Sequence, residues 1–186
     1  MANYEAKLIN DTKVLTGKIR FSYAHLFETW GANGAEPKYS VSILIPKSDT
    51  KTVEVIRKAI ENATAEAVQK YGKNFKSARL HTPIHDGDVE KPGDEAYAGQ
   101  YYINCNNRLA PQVVDINCDR IEDPEEVYSG AYGRITLNFY GYSVSGNTGI
   151  AASLQNVQKL EDGERLGGGR SSALADFGGA GEDFLN

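Results

Sequence analysis

The sequence predicts a mainly β protein: a small, twisted, barrel-like sheet of five strands with one main α-helix and a disordered C-terminal tail. Five stretches alternate apolar and polar residues with a period of two, and a single stretch repeats its apolar residues every three or four positions. After Gly163 the composition changes to GERLGGGRSSALADFGGAGEDFLN, which holds too little apolar surface to offset its ordering entropy. The 186 residues fit one domain, and hydrophobic and charged fractions of 40% and 24% exclude a collagen-like repeat or a wholly disordered chain.

The first strand runs from Val14 to Tyr23, with Leu15, Ile19, Phe21 and Tyr23 facing one way and Thr16, Lys18, Arg20 and Ser22 the other. A turn-rich link, HLFETWGANG, follows and carries Phe27 and Trp30. A tryptophan there either stacks on a ligand ring or plugs one end of the barrel. The second strand, Lys38 to Ile45, sets Tyr39, Val41, Ile43 and Ile45 against Lys38, Ser40 and Ser42. Asp49 or Thr50 caps a helix reaching Tyr71, whose stripe is Val53, Ile56, Ile60, Ala63, Ala67 and Tyr71, with Gly72 as its stop. Tyr97 to Cys105, Ala131 to Val144 and Gly149 to Leu160 complete the set, the last two joined by a Ser-Gly-Asn-Thr-Gly hairpin turn. The polar connections 73–96 and 106–130 are long enough to be functional or loosely ordered.

The chemistry concentrates on AYGRITLNFYGYSV. Ile135, Leu137 and Phe139 form its core face, while Tyr132, Arg134, Thr136, Asn138, Tyr140 and Tyr142 point away. Three tyrosines beside an arginine suit single-stranded nucleic acid, because a ring stacks on any base and a guanidinium pairs with phosphate. Two other readings stay open: the tyrosines cover a second small core under a long loop, or they form a subunit interface in a homo-oligomer. Lys18, Arg20 and Lys38 would extend a cationic track. Lys70, Lys73, Lys76 and Arg79 make a basic run with no acid between them.

The net charge of −5 argues against wrapping duplex DNA by charge alone, but a groove responds to the local field. From Leu166 onward one arginine faces three acids, a net of −2, leaving −3 for the rest. Cys105 and Cys118 form no metal framework and read as two partly buried thiols. His81, His85, Asp86 and Asp88 give the alternative function, a metal-dependent nuclease or processing enzyme. Pro83 disrupts a helix that would align the histidines, and no phosphate loop, GxSxG or metal-ligand spacing points to catalysis; no cofactor is expected. The acidic run Asp115 to Glu126 lacks the spacing and glycine of a calcium loop. No stretch nears the roughly 18–20 apolar residues of a membrane span, and MANYEAKLIND lacks the basic-then-apolar pattern of a leader. The expectation is a cytoplasmic protein with no membrane partner.

FSYAHLFE (Phe21 to Glu28), YSVSILIPKSD (Tyr39 to Asp49), HDGD (His85 to Asp88), NRLAPQVVD (Asn107 to Asp115), EEVYSGAYGR (Glu125 to Arg134) and SGNTGIAASLQNVQKLEDGERLGG (Ser145 to Gly168) occur in one order. Together they resemble a bacteriophage and prophage family of single-stranded-DNA-binding proteins, from about Val14 to Gly169. The resemblance implies an oligonucleotide/oligosaccharide-binding (OB) fold acting in phage DNA replication, recombination and repair, in the cytoplasm of an infected or lysogenic bacterial host. It implies a binding domain at 1–166 and a flexible acidic tail at 167–186. The helix follows the second predicted strand here, whereas the common OB arrangement places it after the third. The family's DNA face carries over onto Tyr132, Arg134, Tyr140 and Tyr142, and further onto Lys18, Arg20, Trp30, Lys38, Tyr102 and Arg108. Glu182, Asp183, Phe184 and Leu185 resemble the acidic, aromatic-tipped peptide that recruits phage or host replication and recombination proteins and competes with DNA.

Overall fold

The alternating stretches become strands of one sheet in the computed structural model, which describes residues 3–73, 75 and 79–166. The strands are β1 (Lys7–Leu8), β2 (Lys13–Leu15), β3 (Ile19–Trp30), β4 (Lys38–Pro46), β5 (Ile84–Asp86), β6 (Gln100–Asn107), β7 (Gln112–Val114), β8 (Tyr132–Val144) and β9 (Asn147–Glu161). Helix α1 (Thr50–Tyr71) follows β4, and a single turn, α2 (Gly87–Glu90), follows β5. Residues 167–186, including Glu182, Asp183, Phe184 and Leu185 of the expected tail, lie outside the described residues.

Five strands close a ring. β3 pairs antiparallel with β4, β4 with β6, β9 with β8 and β8 with β3, while β6 and β9 join in parallel. This is the five-stranded closure expected for an OB fold. β1, β2, β5 and β7 are short additions around it. Because side chains alternate, every ring strand sends one set inward: Phe21, Ile43, Ile103, Ile135 with Leu137 and Phe139, and Leu154 are all fully buried. The β8–β9 hairpin turns through Ser145 (φ 49°) and Gly146 (φ 80°), the two left-handed residues that a type I′ turn requires.

Helix α1 begins and ends where its sequence specifies. Asp49 Oδ1 accepts from the Thr52 amide at 3.1 Å, and Gly72 stops the helix at φ 80°. Its buried face is Thr52, Val55, Ile56, Ala59, Ala63 and Ala67, rotated from the expected stripe, so Val53 and Ile60 are half-buried and Tyr71 is exposed. Alanines let the helix approach β8 closely: a β-carbon on Gly141 would lie 2.3 Å from that of Ala67. The helix stands between the second and third ring strands, where the sequence placed it.

Several expectations are corrected. The Val14 to Tyr23 strand is two strands, broken at Thr16–Lys18, and Val14 rather than Leu15 enters the core. β3 continues to Trp30 through a segment expected to be a turn. Tyr23 leaves the core face because its φ of 47° interrupts the alternation, and the β3–β4 register shifts between Ser22 and His25. Tyr97 lies before β6, yet it is buried. Cys118 is exposed rather than partly buried, while burial pushes the Cys105 thiol pKa up. Among the described residues, no helix is long and apolar enough to cross a membrane.

The segment holding β5 and α2 is fastened by one lysine. Lys47 Nζ lies 2.7 Å from Asp86 Oδ1 and 2.7 Å from Asp88 Oδ2. The same carboxylates accept from the Asp88 and Gly99 amides, both at 3.0 Å. Hydrogen bonds from Lys47 hold both carboxyls below the usual carboxylate range, and the lysine is itself raised.

Two outcomes follow. A β-carbon on Gly133 would lie 2.2 Å from the Gln158 carbonyl oxygen and 2.6 Å from the buried Phe21 ring. Gly133→Ala should therefore cost about 1–3 kcal/mol in a urea titration; an unchanged midpoint would show that the ring yields there. Lys47→Met should lower stability at pH 7. Folding depresses the partner carboxyl values, so their contribution is present above about pH 4 and is lost as pH falls below it. The gap between wild type and variant in urea titrations should thus narrow as pH falls below about 4, and a gap that does not change with pH would assign the effect to packing.

Candidate nucleic-acid interface

The ring's outer face is where alternation leaves side chains free. On β4, Lys38, Ser40 and Ser42 alternate with the inward Tyr39, Val41 and Ile43; on β6, Asn104 and Asn106 alternate with Ile103 and Cys105. Register aligns them: His25 opposes Ser40, Ser40 opposes Asn106, Ser22 opposes Ser42, and Ser42 opposes Asn104. The Ser42 hydroxyl donates to Asn104 Oδ1. The result is a floor of small polar groups.

Aromatic walls stand on both sides. One cleft of about 370 Å³ is lined by Tyr23, His25, Trp30, Ser40, Ser42 and Asn104. Trp30 stacks on His25 with ring centres 5.1 Å apart and planes 11° from parallel, yet stays 53% exposed. A second cleft of about 500 Å³ includes His81, Pro83, His85, Asn104, Tyr142 and Ala151. The clefts meet at Asn104 and form one trough. Among the described residues, neither is lined by an aspartate or glutamate. Burial holds the His25 imidazole below the ordinary histidine value.

The second wall depends on a close backbone approach. His81 bridges to Gly149 of β9, and a β-carbon on Gly149 would lie 2.5 Å from the His81 carbonyl oxygen. Glycine there seats His81 beside Tyr142, which opposes Gly149 in register.

The structure divides the expected site residues into groups. Trp30, Lys38 and Tyr142 belong to the trough or its rim, since Lys38 opposes Trp30 across β3–β4. Tyr140 is 43% exposed and opposes Ala151, which lines the second cleft. Arg108 lies just beyond β6, 2.7 Å from Glu36 in the β3–β4 connection. Lys18, Arg20 and Tyr132 meet at a separate cavity of about 410 Å³. There Lys18 Nζ and Arg20 Cζ stand 5.1 and 5.2 Å from the Tyr132 ring centre. Both cations are partly engaged: Lys18 with Glu161 at 2.5 Å, and Arg20 with the Gly130 and Glu164 carbonyls at 3.0 and 2.6 Å.

Two residues are placed differently from the sequence expectation. Tyr102 is buried, because His85 stacks on it at 4.9 Å and Tyr97 meets it edge-on at 5.2 Å, so its ring is not open to a base. This cluster of Leu44, Tyr97 and Tyr102, with Ala96 and Leu166 against it, separates the trough from the Tyr132 cavity. Arg134 donates to the Thr16 and Glu5 carbonyls, both at 2.9 Å, and lies 5.5 Å from the Tyr4 ring. It binds the amino-terminal segment to β8.

The metal-centre alternative meets the same test. Asp86 and Asp88 grip Lys47, and His85 Nδ1 lies 2.9 Å from Glu90. Among the described residues, no group of three or more His, Cys, Asp or Glu could hold a metal ion. Sequence reasoning placed Ser40 on the Lys38 face of the expected track but did not single out Tyr23, His25, Ser42 or Asn104 for these clefts. The signal available for Ser42 and Asn104 was the small polar face alternating along β4 and β6.

The family model of the Enterobacter phage Enc34 ssDNA-binding protein matches residues 12–185. "Putative protein p50" of Acyrthosiphon pisum secondary endosymbiont phage 1 is 30% identical over 172 residues, spanning 89% of this chain and 92% of that one. The single-stranded DNA-binding protein of bacteriophage Enc34, solved in complex with ssDNA, superposes with a TM-score of 0.75 at 25% identity, covering 89% of this chain and 98% of that one. Bacteriophage T7 gp2.5, a single-stranded DNA binding protein, shares the fold with a TM-score of 0.60 at 20% identity, over 87% of this chain and 92% of that one. The chain belongs to the phage family of the Enc34 single-stranded-DNA-binding protein.

Proposed function

We propose that this protein is a non-catalytic, sequence-tolerant coat for single-stranded DNA, with the trough on the outer face of β3, β4, β6 and β9 as its seat. The observation that carries this reading is the trough's makeup: aromatic walls, a floor of small polar groups and, among the described residues, no lining aspartate or glutamate. Flat rings accept any base, so the contact is indifferent to sequence. In this reading Trp30 and Tyr142 stack on bases, Tyr140 extends their wall, and Lys38 and Arg108 meet phosphates at the rim. A longer strand passing beyond Leu44 reaches Tyr132, Lys18 and Arg20.

The setting we propose is phage DNA replication, recombination and repair in the cytoplasm of an infected or lysogenic bacterial host. Glu182, Asp183, Phe184 and Leu185 would dock phage or host replication proteins and compete with DNA for the trough. Leu166 packs against Leu44, Tyr97 and Tyr102 beside the trough, so the following segment starts from there. Twenty further residues, at up to about 3.3–3.6 Å each, are long enough to cross the whole face.

Trp30 is the single tryptophan of the chain, so its fluorescence reports on the trough directly. Oligo-dT should quench it, with an affinity that falls with salt at a log–log slope of roughly −0.7 per phosphate neutralised. Duplex DNA of equal length should bind much more weakly. Binding without quenching would move the site elsewhere. Trp30→Ala and Tyr142→Ala, followed by anisotropy, should each weaken binding by about 1–3 kcal/mol. Tyr132→Ala should matter only for the longer oligonucleotides.

Deleting residues 167–186 should leave affinity for single strands equal or higher while abolishing capture of replication proteins. Weaker DNA binding by that truncation would make the tail part of the groove.

A further inference from the structure

The chain contains three histidines, and all three line the trough: His25 in one wall, His81 and His85 in the other. The groups facing each can be named. His25 meets Trp30 and Tyr23 on its own strand, and Ser40 opposes it on β4 with Lys38 two residues away. Lys91 comes within 5.9 Å of the Tyr23 ring centre. His85 meets Glu90 of α2 at 2.9 Å and Tyr102 of β6, while the neighbouring Asp86 and Asp88 are engaged by Lys47. His81 is fixed through its backbone, donating to the Thr148 carbonyl at 2.9 Å and accepting from Ile150 at 3.0 Å, with Tyr142 and Asn147 across the cleft. Glu90 is thus the one acid in contact with a trough histidine among the described residues.

A polyanion laid in this trough changes the charge balance at every imidazole. An opposite charge within about 4–6 Å favours the charged form of a titratable group, and phosphates would supply it where the lining has no carboxylate. Burial keeps His25 neutral more readily before DNA arrives, which leaves a proton to be gained. Linkage is reciprocal: if DNA promotes protonation, protonation promotes DNA binding.

We infer that His25, His81 and His85 take up protons when single-stranded DNA enters the trough, so that mildly acidic conditions tighten binding. The inference rests on the proposed placement of DNA in the trough. It makes the histidines the adjustable part of a cationic track in which Lys38 is permanent.

Oligo-dT suits the test because neither thymine nor phosphodiester titrates in the histidine range. Affinity of the full chain should rise about tenfold for each proton taken up per pH unit, between roughly pH 7.5 and 5.5. Calorimetry in two buffers of different ionisation enthalpy should count between one and three protons per site. His25→Gln, His81→Gln and His85→Gln should each reduce that count, and the triple variant should flatten the pH profile whatever its affinity at pH 8. The single variants decide if the triple variant fails to fold. A flat profile in wild type, with Trp30 quenching intact, would overturn the linkage and leave the trough standing. Proton uptake undiminished in all three variants would overturn it as well. Oligo-dT binding that never quenches Trp30 at any pH would instead remove the placement on which the inference rests.

Discussion

Closure of the five-strand ring is the constraint on which everything else depends. It is made by backbone hydrogen bonds, including the parallel join between β6 and β9, and it gives each ring strand an inside and an outside. The inside must be apolar and close-packed, as Phe21, Ile43, Ile103, Leu137 and Leu154 show. The outside carries no such obligation. Ring register then brings His25, Ser40, Asn104 and Tyr142, from four distant parts of the chain, to one trough.

The cations sort by what holds them. Arg20 and Arg134 spend donors on backbone carbonyls, and Lys47 is enclosed by two carboxylates. Arg134 and Lys47 thereby fasten connections to the ring, while Arg20 also stays beside Tyr132 in its cavity. Lys38 and the histidines remain at the trough, where no aspartate or glutamate among the described residues lines the walls. A chain with a net charge of −5 can therefore hold clefts whose described lining contains no aspartate or glutamate, because the local arrangement and not the total sets the field a ligand meets.

Much of this architecture was legible in the sequence. Period-two alternation identified the core face of β8 and the whole of β4, and the capping aspartate and stop glycine bounded α1. The errors share a physical origin. Tyr23 adopts a left-handed backbone conformation that resets the alternation, so β3 runs on to carry His25 and Trp30 where a loop was expected. Tyr102 obeys the outward pattern of its strand, but Tyr97 and His85, from other segments, cover it. Arg134 also points outward and is claimed by carbonyls of the amino-terminal segment. Alternation tells which way a side chain leaves its strand; it does not tell what arrives from elsewhere to meet it.

The same ring has a consequence for crowding. A sheet normally ends in rows of unpaired amides and carbonyls that invite neighbouring molecules to add strands. Here the ring closes through the β3–β8 and β6–β9 joins, and the sheet's path ends at β1 and β7, of two and three residues. Neither end strand is long enough to serve as a template for fibrous association between molecules.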